Sequence, residues 1–429
     1  MLIVPSNVAQ RPEEEEMGDT EQLPGGRDGE GLWEYARSAG MSRRRFLALL
    51  AAGGAVAVLA ACKAPTPTPL PTTTPVATPA PTSAPLLSVE PPGLRRVIAS
   101  SPPVYESPLE LVKGLITPTR LFFQRNHGAT PRLDAKDWRL RIEGNAVERP
   151  LVLTYEDILA LPSRSANRWL ECAGNGRGFF ALFQGKPASG GQWKLGAIGV
   201  AEWTGVPLAA ILDMAGVKVD AVDVLLEGGD GPKVNRPIPI DKAQDPNTLL
   251  AYAMNGESLP PDHGFPLRAI VPGWIGVSNI KWLVRIEVSN QKVQTPFNTA
   301  SYILDGPDYP SKPAVTLQTL KSAVALPWDG TIPRGRQTIR GFAWSPHGKI
   351  AKVEYSLDGG KTWGQARLEE PNTQYVWVRW AFPWDASPGK YGIMTRATDE
   401  KGNTQPDSVP WNAQGYLYNA VVPYPITVT

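Results

Sequence analysis

Leu170-Glu171-Cys172-Ala173-Gly174-Asn175-Gly176-Arg177-Gly178-Phe179-Phe180 is the stretch around which the rest of the chain is read. It sets a cysteine in a turn with three glycines and places an arginine five positions further on. A thiolate is a soft, strongly donating ligand for a transition metal, and glycines let the backbone pass close to a bulky group without side-chain clash. The competing reading is a small buried hydrophobe, because free cysteine is among the most buried residue types. The stretch alone leaves both open.

Around it the chain is mixed in pattern. Over residues 97–294, strand-like runs such as Trp138-Arg139-Leu140-Arg141-Ile142-Glu143 and Lys281-Trp282-Leu283-Val284-Arg285-Ile286-Glu287-Val288 alternate with short helical candidates. Leu208-Ala209-Ala210-Ile211-Leu212-Asp213-Met214-Ala215 follows Pro207 and meets Gly216, the proline start and glycine end of a helix. With no regular strand–helix alternation, this region reads as α+β rather than as a doubly wound sheet. Residues 313–429 differ. Lys352-Val353-Glu354-Tyr355-Ser356-Leu357 alternates, Asp358-Gly359-Gly360 turns, and Tyr375-Val376-Trp377-Val378-Arg379-Trp380 alternates again, with further strand candidates at 391–397 and 424–428. Short strands separated by turn signals predict an antiparallel β-sandwich whose default role is structural or associative.

The 429 residues are 42% hydrophobic with 14 Trp, enough core for two ordinary domains and extras. Forty-four Pro and 41 Gly favour loop-rich and β-rich architecture over a helical bundle. The net charge of +2 conceals an acidic lead: residues 1–40 hold nine acidic and three basic side chains, so the remainder is mildly basic. No basic stripe interleaved with aromatics appears, which argues against nucleic acid and is compatible with a small anionic substrate.

The amino-terminal segments suggest export. Residues 1–40, with Glu13-Glu14-Glu15-Glu16 and few apolar side chains, are expected to be disordered, and Met41 is the expected true start. Ser42-Arg43-Arg44-Arg45-Phe46-Leu47 and the short apolar run after it match a twin-arginine export signal. The run ends Leu59-Ala60-Ala61-Cys62, which resembles a lipobox with Cys62 as the lipidated residue; an ordinary signal cleaved elsewhere is the alternative. Twin-arginine export moves folded proteins, so a cofactor inserted before transport is expected, together with an extracytoplasmic, lipid-anchored location. Residues 63–92 hold ten Pro and seven Thr, a tether of extended polyproline character. The domain reading is therefore 1–40 lead, 41–62 signal, 63–94 linker, 95–312 catalytic domain and 313–429 sandwich. If Cys62 carries lipid, Cys172 has no disulfide partner, and an odd thiol in an exported protein flags chemistry.

Three further clusters accompany Cys172. Phe122-Phe123-Gln124-Arg125-Asn126-His127 and His263-Gly264-Phe265-Pro266-Leu267-Arg268 each hold a histidine and an arginine, and Asn279-Ile280-Lys281-Trp282 offers a lysine. Guanidinium and imidazole groups suit phosphate and oxyanion recognition. Each cluster alone reads equally as surface arginine and satisfied histidine; their joint occurrence with Cys172 favours a site.

Leu170-Glu171-Cys172-Ala173-Gly174-Asn175, Arg125-Asn126-His127, Gly196-Ala197-Ile198-Gly199, His263-Gly264-Phe265-Pro266 and Lys281-Trp282-Leu283 together resemble the sulfite oxidase family of molybdenum enzymes. The last part resembles that family's dimerisation domain through Val353-Glu354-Tyr355-Ser356, Asp358-Gly359-Gly360, Thr362-Trp363, Gln405-Pro406 and Trp411-Asn412, so the resemblance covers residues 95–429. It implies a molybdopterin-binding domain followed by an immunoglobulin-like sandwich, a homodimer, and molybdenum held by Cys172 beside the molybdopterin dithiolene. It implies cofactor contacts from Phe123, Arg125, Asn126, His127, Asp230, His263, Arg268, Asn279 and Lys281, and substrate contacts from Arg125 and Arg177. The family's pocket tyrosine follows an aspartate, which fits Asp308-Tyr309, with Tyr302 the other candidate. Animal members have two adjacent arginines where this chain has Gly176-Arg177, and no stretch resembles their haem domain. The implied activity is oxidation of sulfite to sulfate, with electrons leaving to a separate c-type cytochrome. Alternatives are a nitrate or sulfoxide reductase, a sulfane-sulfur dehydrogenase, or a metal-free lipid-tethered binding protein.

Overall fold

The computed structural model describes residues 93–98 and 102–429. The acidic lead, the signal and lipobox with Cys62, and the proline–threonine tether of residues 63–92 lie outside the described residues.

Two five-stranded sheets carry the first region. In one, Glu257–Ser258, Leu249–Met254, Ile198–Pro207 and Arg164–Glu171 lie side by side, antiparallel throughout, and Arg268–Ile270 also pairs with Leu249–Met254. Leu249–Met254 is buried at every position, as a strand covered on both faces must be. The other sheet runs Leu151–Leu153, Leu140–Glu143, Leu283–Ser289, Asp223–Gly228, Asn235–Pro239. Its pairing of Leu140–Glu143 with Leu283–Ser289 is parallel. A parallel pair requires a crossover, and here the crossover contains the whole first sheet.

Helices are fewer and shorter than an α+β reading suggests, and the described residues are mostly sheet. The longest α-helix among them is Leu208–Ala215, entered from Pro207 and closed by Gly216 at φ 68°. Proline and glycine cut the apolar runs before more than two turns can form, and helices that short depend on packing. The expected strand starting at Trp138 begins at Leu140. The one expected from Lys281 begins at Leu283, because Trp282 at φ 53° breaks the extended chain and turns Lys281 toward a cavity.

The second region has eight strands in the order Lys321–Val324, Gly335–Trp344, Val378–Ala386, Gly364–Glu369, Ile350–Ser356, Gly389–Asp399, Tyr424–Val428, Gly330–Ile332. All neighbours are antiparallel except the last pair, which is parallel. The Ser322 hydroxyl donates to Thr395 Oγ1 at 2.9 Å, joining the first and sixth strands, so the sheet doubles over into two facing layers. Tyr375, expected to open a strand, stands at φ 63°, and that strand begins at Val378. The Asp358-Gly359-Gly360 turn is closed by Asp358, which accepts from the Thr362 hydroxyl at 2.6 Å and from the backbone N–H groups of Lys361 and Thr362. These bonds, led by Thr362, hold its carboxyl well below the usual range.

The two regions share one core. Trp169, Phe179, Phe180, Leu195 and Ile198 pack in the same cluster as Phe342, Trp344, Trp377 and Trp380. Within this seam lies an ion pair, Glu171 Oε1 to Lys321 Nζ at 2.6 Å, with side chains 0% and 1% exposed. Trp344 Nε1 donates to the other carboxylate oxygen at 2.9 Å, and Asn175 Nδ2 to Oε1 at 2.9 Å. A buried pair of this kind is much more costly to break than to replace, because removing one partner strands a charge. Lys321→Met is therefore expected to destabilise the protein by about 3–5 kcal/mol. Glu171→Gln with Lys321→Met should recover most of that loss in urea unfolding, and equal losses from the single and double variants would contradict the pairing.

Candidate active site

The strand Arg164–Glu171 delivers Cys172 to the wall of a cavity. The Cys172 N–H donates to Ala197 O and its carbonyl accepts from the Asn175 N–H, both at 2.9 Å, so the residue is fixed at the start of a tight turn. The Asn175 side chain closes the turn, accepting from the Ala197 N–H at 3.0 Å while donating to Glu171. On the other side Gly276 comes so close that a Cβ there would lie 3.0 Å from Glu171 O and 3.3 Å from Cys172 Cα. The thiol is free and 8% exposed.

Opposite the cysteine lies a polar wall. Lys281 Nζ donates to Asp262 O at 2.8 Å and to Arg125 O at 3.2 Å, and also bonds Asn126 Oδ1. Asn126 Nδ2 in turn donates to Asp262 Oδ1 at 2.9 Å and to Thr130 Oγ1 at 3.0 Å. Arg268 reaches across to His263 O at 2.7 Å and Asn279 O at 3.3 Å, with its guanidinium over Trp203. Asn279 spends its amide on backbone, accepting from the Val271 N–H at 2.7 Å. Burial, helped by neighbouring cations, lowers Lys281 to about 7, and burial alone lowers Arg268 to about 9. His127 and His263 are each brought down to about 3, again chiefly by burial, so both imidazoles are neutral near pH 7. Cations whose charge is destabilised in this way gain from an anion brought beside them.

The wall also holds polar atoms with no partner in the protein. Asp230 donates nothing and uses only Oδ1, accepting from the Val234 N–H at 3.0 Å; its Oδ2 is buried and unpaired, as is Arg268 Nε. Buried polar atoms are normally satisfied, so this set fits a large ligand that both donates and accepts, with an anionic end toward Arg268 and Lys281. Among the described residues no cluster of three or more His, Cys, Asp or Glu is arranged to hold a metal. A metal at Cys172 would need its remaining donors from that ligand. The residues present therefore fit a metal-bearing organic cofactor such as molybdopterin.

The structure brings together Phe123, Arg125, Asn126, His127, Cys172, Asp230, His263, Arg268, Asn279 and Lys281 around this one cavity. It does not bring Tyr309 there. Tyr302 lines the cavity instead, with its hydroxyl 2.7 Å from His127 Nε2. Tyr309 lies in the turn after Gly306, partly buried and outside the lining. The Asp-Tyr dipeptide pointed to the wrong one of the two candidates because the backbone at Tyr302, φ 56°, and not its preceding residue, aims the ring inward. Arg177 also differs from expectation. It is buried beside the cavity without lining it: Nε donates to Gln414 O at 2.8 Å, Nη1 to Gly191 O at 3.0 Å, and its guanidinium lies 5.3 Å from the Tyr416 ring centre. Gly174, Gly190 and Gly415 wall its side chain so tightly that a Cβ at any of them would fall within 2.7 Å of it.

Sequence reasoning missed the contribution of the second region. Gln414, Gly415 and Tyr416 close against Arg177 and Tyr302, although the sandwich carried no catalytic-looking motif. Their only signal was position, immediately after Trp411-Asn412. Asp262 and Thr130, which lock Asn126 and Lys281, had no signal beyond proximity to His263 and His127.

Fold and cavity thus define a cofactor-binding oxidoreductase core followed by a sandwich. Residues 127–297 match the oxidoreductase molybdopterin binding domain, and residues 312–428 the Mo-co oxidoreductase dimerisation domain. Chicken sulfite oxidase (Gallus gallus) is 36% identical over 77% of this chain and 77% of its own length. Mitochondrial sulfite oxidase of Macaca fascicularis is 37% identical over 73% of this chain, which spans only 62% of that protein. Among solved structures, the sulfane dehydrogenase SoxCD from Paracoccus pantotrophus superposes with a TM-score of 0.68 at 31% identity, covering 83% of this chain and 96% of that one. The chain belongs to the sulfite oxidase family.

The neutral histidines give the cofactor-free protein an acid liability. Held near 3 when folded and near 6.5 when not, each takes a proton in the unfolded chain first, so stability falls as pH drops from 6.5 toward 3. In His127→Gln the fall in melting temperature over this window should be shallower than in the wild type; an identical slope would show that His127 is not held neutral.

Proposed function

We propose that this protein is an exported molybdenum-cofactor oxidoreductase that oxidises sulfite to sulfate and hands the electrons to a separate c-type cytochrome. We take it to be a homodimer outside the cytoplasm, tethered through a lipid on Cys62. The observation that carries the reading is Cys172, a free thiol fixed at the wall of a cavity whose unpaired polar atoms suit molybdopterin. The family relationship and the dimerisation domain support the remainder.

Cys172 would hold the metal, with Asp230, His263, Arg268, Asn279 and Lys281 receiving the organic part and its phosphate. Bound there, the cofactor supplies a two-electron redox change, and overall sulfite and water give sulfate, two protons and two electrons. The chain's own part is to bind and orient. Arg125 presents a guanidinium to the oxyanion. Tyr302, whose phenol is kept protonated by burial, supplies a hydroxyl that His127 steadies from behind. Phe122 and Phe123, stacked at 5.3 Å, keep water from the inner wall.

A second reading, oxidation of sulfane sulfur, is favoured by the likeness to the SoxCD structure and by Arg177, whose hydrogen bonds are spent on carbonyls. With Arg268 given to the cofactor, Arg125 is the guanidinium left for the substrate, which suits one of lower charge than sulfite.

Purified protein of known molybdenum content should reduce ferricyanide or cytochrome c when sulfite is added. Full metal loading with no response to sulfite, and turnover of glutathione persulfide instead, would replace the first reading by the second. Cys172→Ser should lose turnover and molybdenum, and an active, metal-loaded variant would refute the ligand assignment. Arg125→Gln should raise the sulfite KM about tenfold or more, the scale of one charge-assisted hydrogen bond.

A further inference from the structure

Tyr302 is held in a conformation that it would not adopt unaided. Its φ of 56° lies in the left-handed region, where an aromatic residue is strained by roughly 1–3 kcal/mol. Strain of that size persists only where surrounding contacts over-determine the backbone. Three contacts do so here. The Tyr302 carbonyl accepts from the Val315 N–H at 2.7 Å. The ring stacks on Tyr416 with centroids 5.1 Å apart and planes 6° from parallel. The Tyr302 N–H donates to the side-chain Oε1 of Gln414 at 3.0 Å.

Gln414 is fixed at both ends of its amide. While Oε1 accepts from Tyr302, Nε2 donates to Ala300 O at 3.0 Å, two residues earlier on the same turn. Its backbone carbonyl meanwhile accepts from Arg177 Nε at 2.8 Å. One residue from the sandwich thus clamps the turn that aims the phenol and also ties down the arginine beside it. Removing the side chain leaves a buried N–H without a partner at a strained residue, and both effects favour rotation of Tyr302 out of the left-handed region.

We propose that Gln414 is a positioning residue that holds the Tyr302 hydroxyl in place to meet an oxyanion at the cavity mouth. The proposal rests on the sulfite reading for the anion's identity but not for the geometry. Gln414→Glu keeps an acceptor for the Tyr302 N–H, whereas Gln414→Ala does not, so the first should retain what the second loses. Tyr416 keeps its stacking in both variants and the bond to Ala300 O is lost in both, so the pair isolates the acceptor for the Tyr302 N–H.

The test uses molybdenum-loaded protein, with sulfate as the probe anion, and follows amide hydrogen exchange across residues 296–304 together with sulfite kinetics. In the wild type, sulfate should slow exchange over this segment. Gln414→Ala should exchange about tenfold faster at Tyr302, lose the sulfate effect, and show a sulfite KM raised about tenfold with a smaller change in kcat. Gln414→Glu should stay within about threefold of the wild type on each measure. Unchanged exchange in Gln414→Ala would overturn the proposal, and so would faster exchange with sulfate protection and KM both unaltered, since that is a purely structural role. Failure of sulfate to protect the wild type would also overturn it. A wild type that is protected by sulfate yet does not oxidise sulfite would sink the proposed reaction and leave the positioning role standing, because protection is read without turnover.

Discussion

The ion pair between Glu171 and Lys321 is the contact on which the rest of the molecule is arranged. Both charges are removed from water, so their attraction must first offset a large desolvation cost. Part of that cost is offset by hydrogen bonds to both charges and to the backbone beside them. Lys321 also donates to Asn175 O at 3.1 Å, Gln318 donates to Glu171 O at 2.7 Å, and Trp344 takes the second carboxylate oxygen. A pair so placed contributes uniqueness more than stability. It fixes how the sandwich meets the cofactor-binding region to within a hydrogen bond, and it does so one residue from Cys172. The thiol is therefore located by both halves of the chain.

Much of this was legible in the residues, for stated reasons. Cys172 declared itself through its glycines and through the absence of an obvious disulfide partner. The helix Leu208–Ala215 was bounded by proline and glycine, whose backbone preferences are local. The strand Tyr424–Val428 followed from alternation alone. What escaped was non-local. Nothing near Tyr302 announces a left-handed backbone, because its support comes from Val315, Gln414 and Tyr416. Arg177 was read as facing an anion because the resemblance implied it, whereas three glycines and two carbonyls, most of them remote in sequence, decide where it lies. The α+β expectation overcounted helix for a related reason: apolar runs of six to eight residues have no preference strong enough to resist recruitment into sheets.

The polar wall shows how one site can hold so many cations without an internal counterion for each. Lys281 and Arg268 are buried with their donors spent on carbonyls, which orients them without neutralising them. Burial then depresses their proton affinity, a penalty that an anion beside them would relieve. Neutral His127 and His263 avoid adding to the repulsion. The Asp230 and Arg268 atoms without a partner in the protein belong to residues of the same cavity lining.

The segment that carries Gln414 and Tyr416 lies within twenty residues of the carboxyl terminus. A ribosome makes the cysteine turn before this segment, and domains generally fold in the order of their synthesis. While the chain is growing, the first region can form its sheets before the contacts that hold Tyr302 and Arg177 exist. The order of residues along the chain thus makes the fixing of the Tyr302 turn a late event in folding.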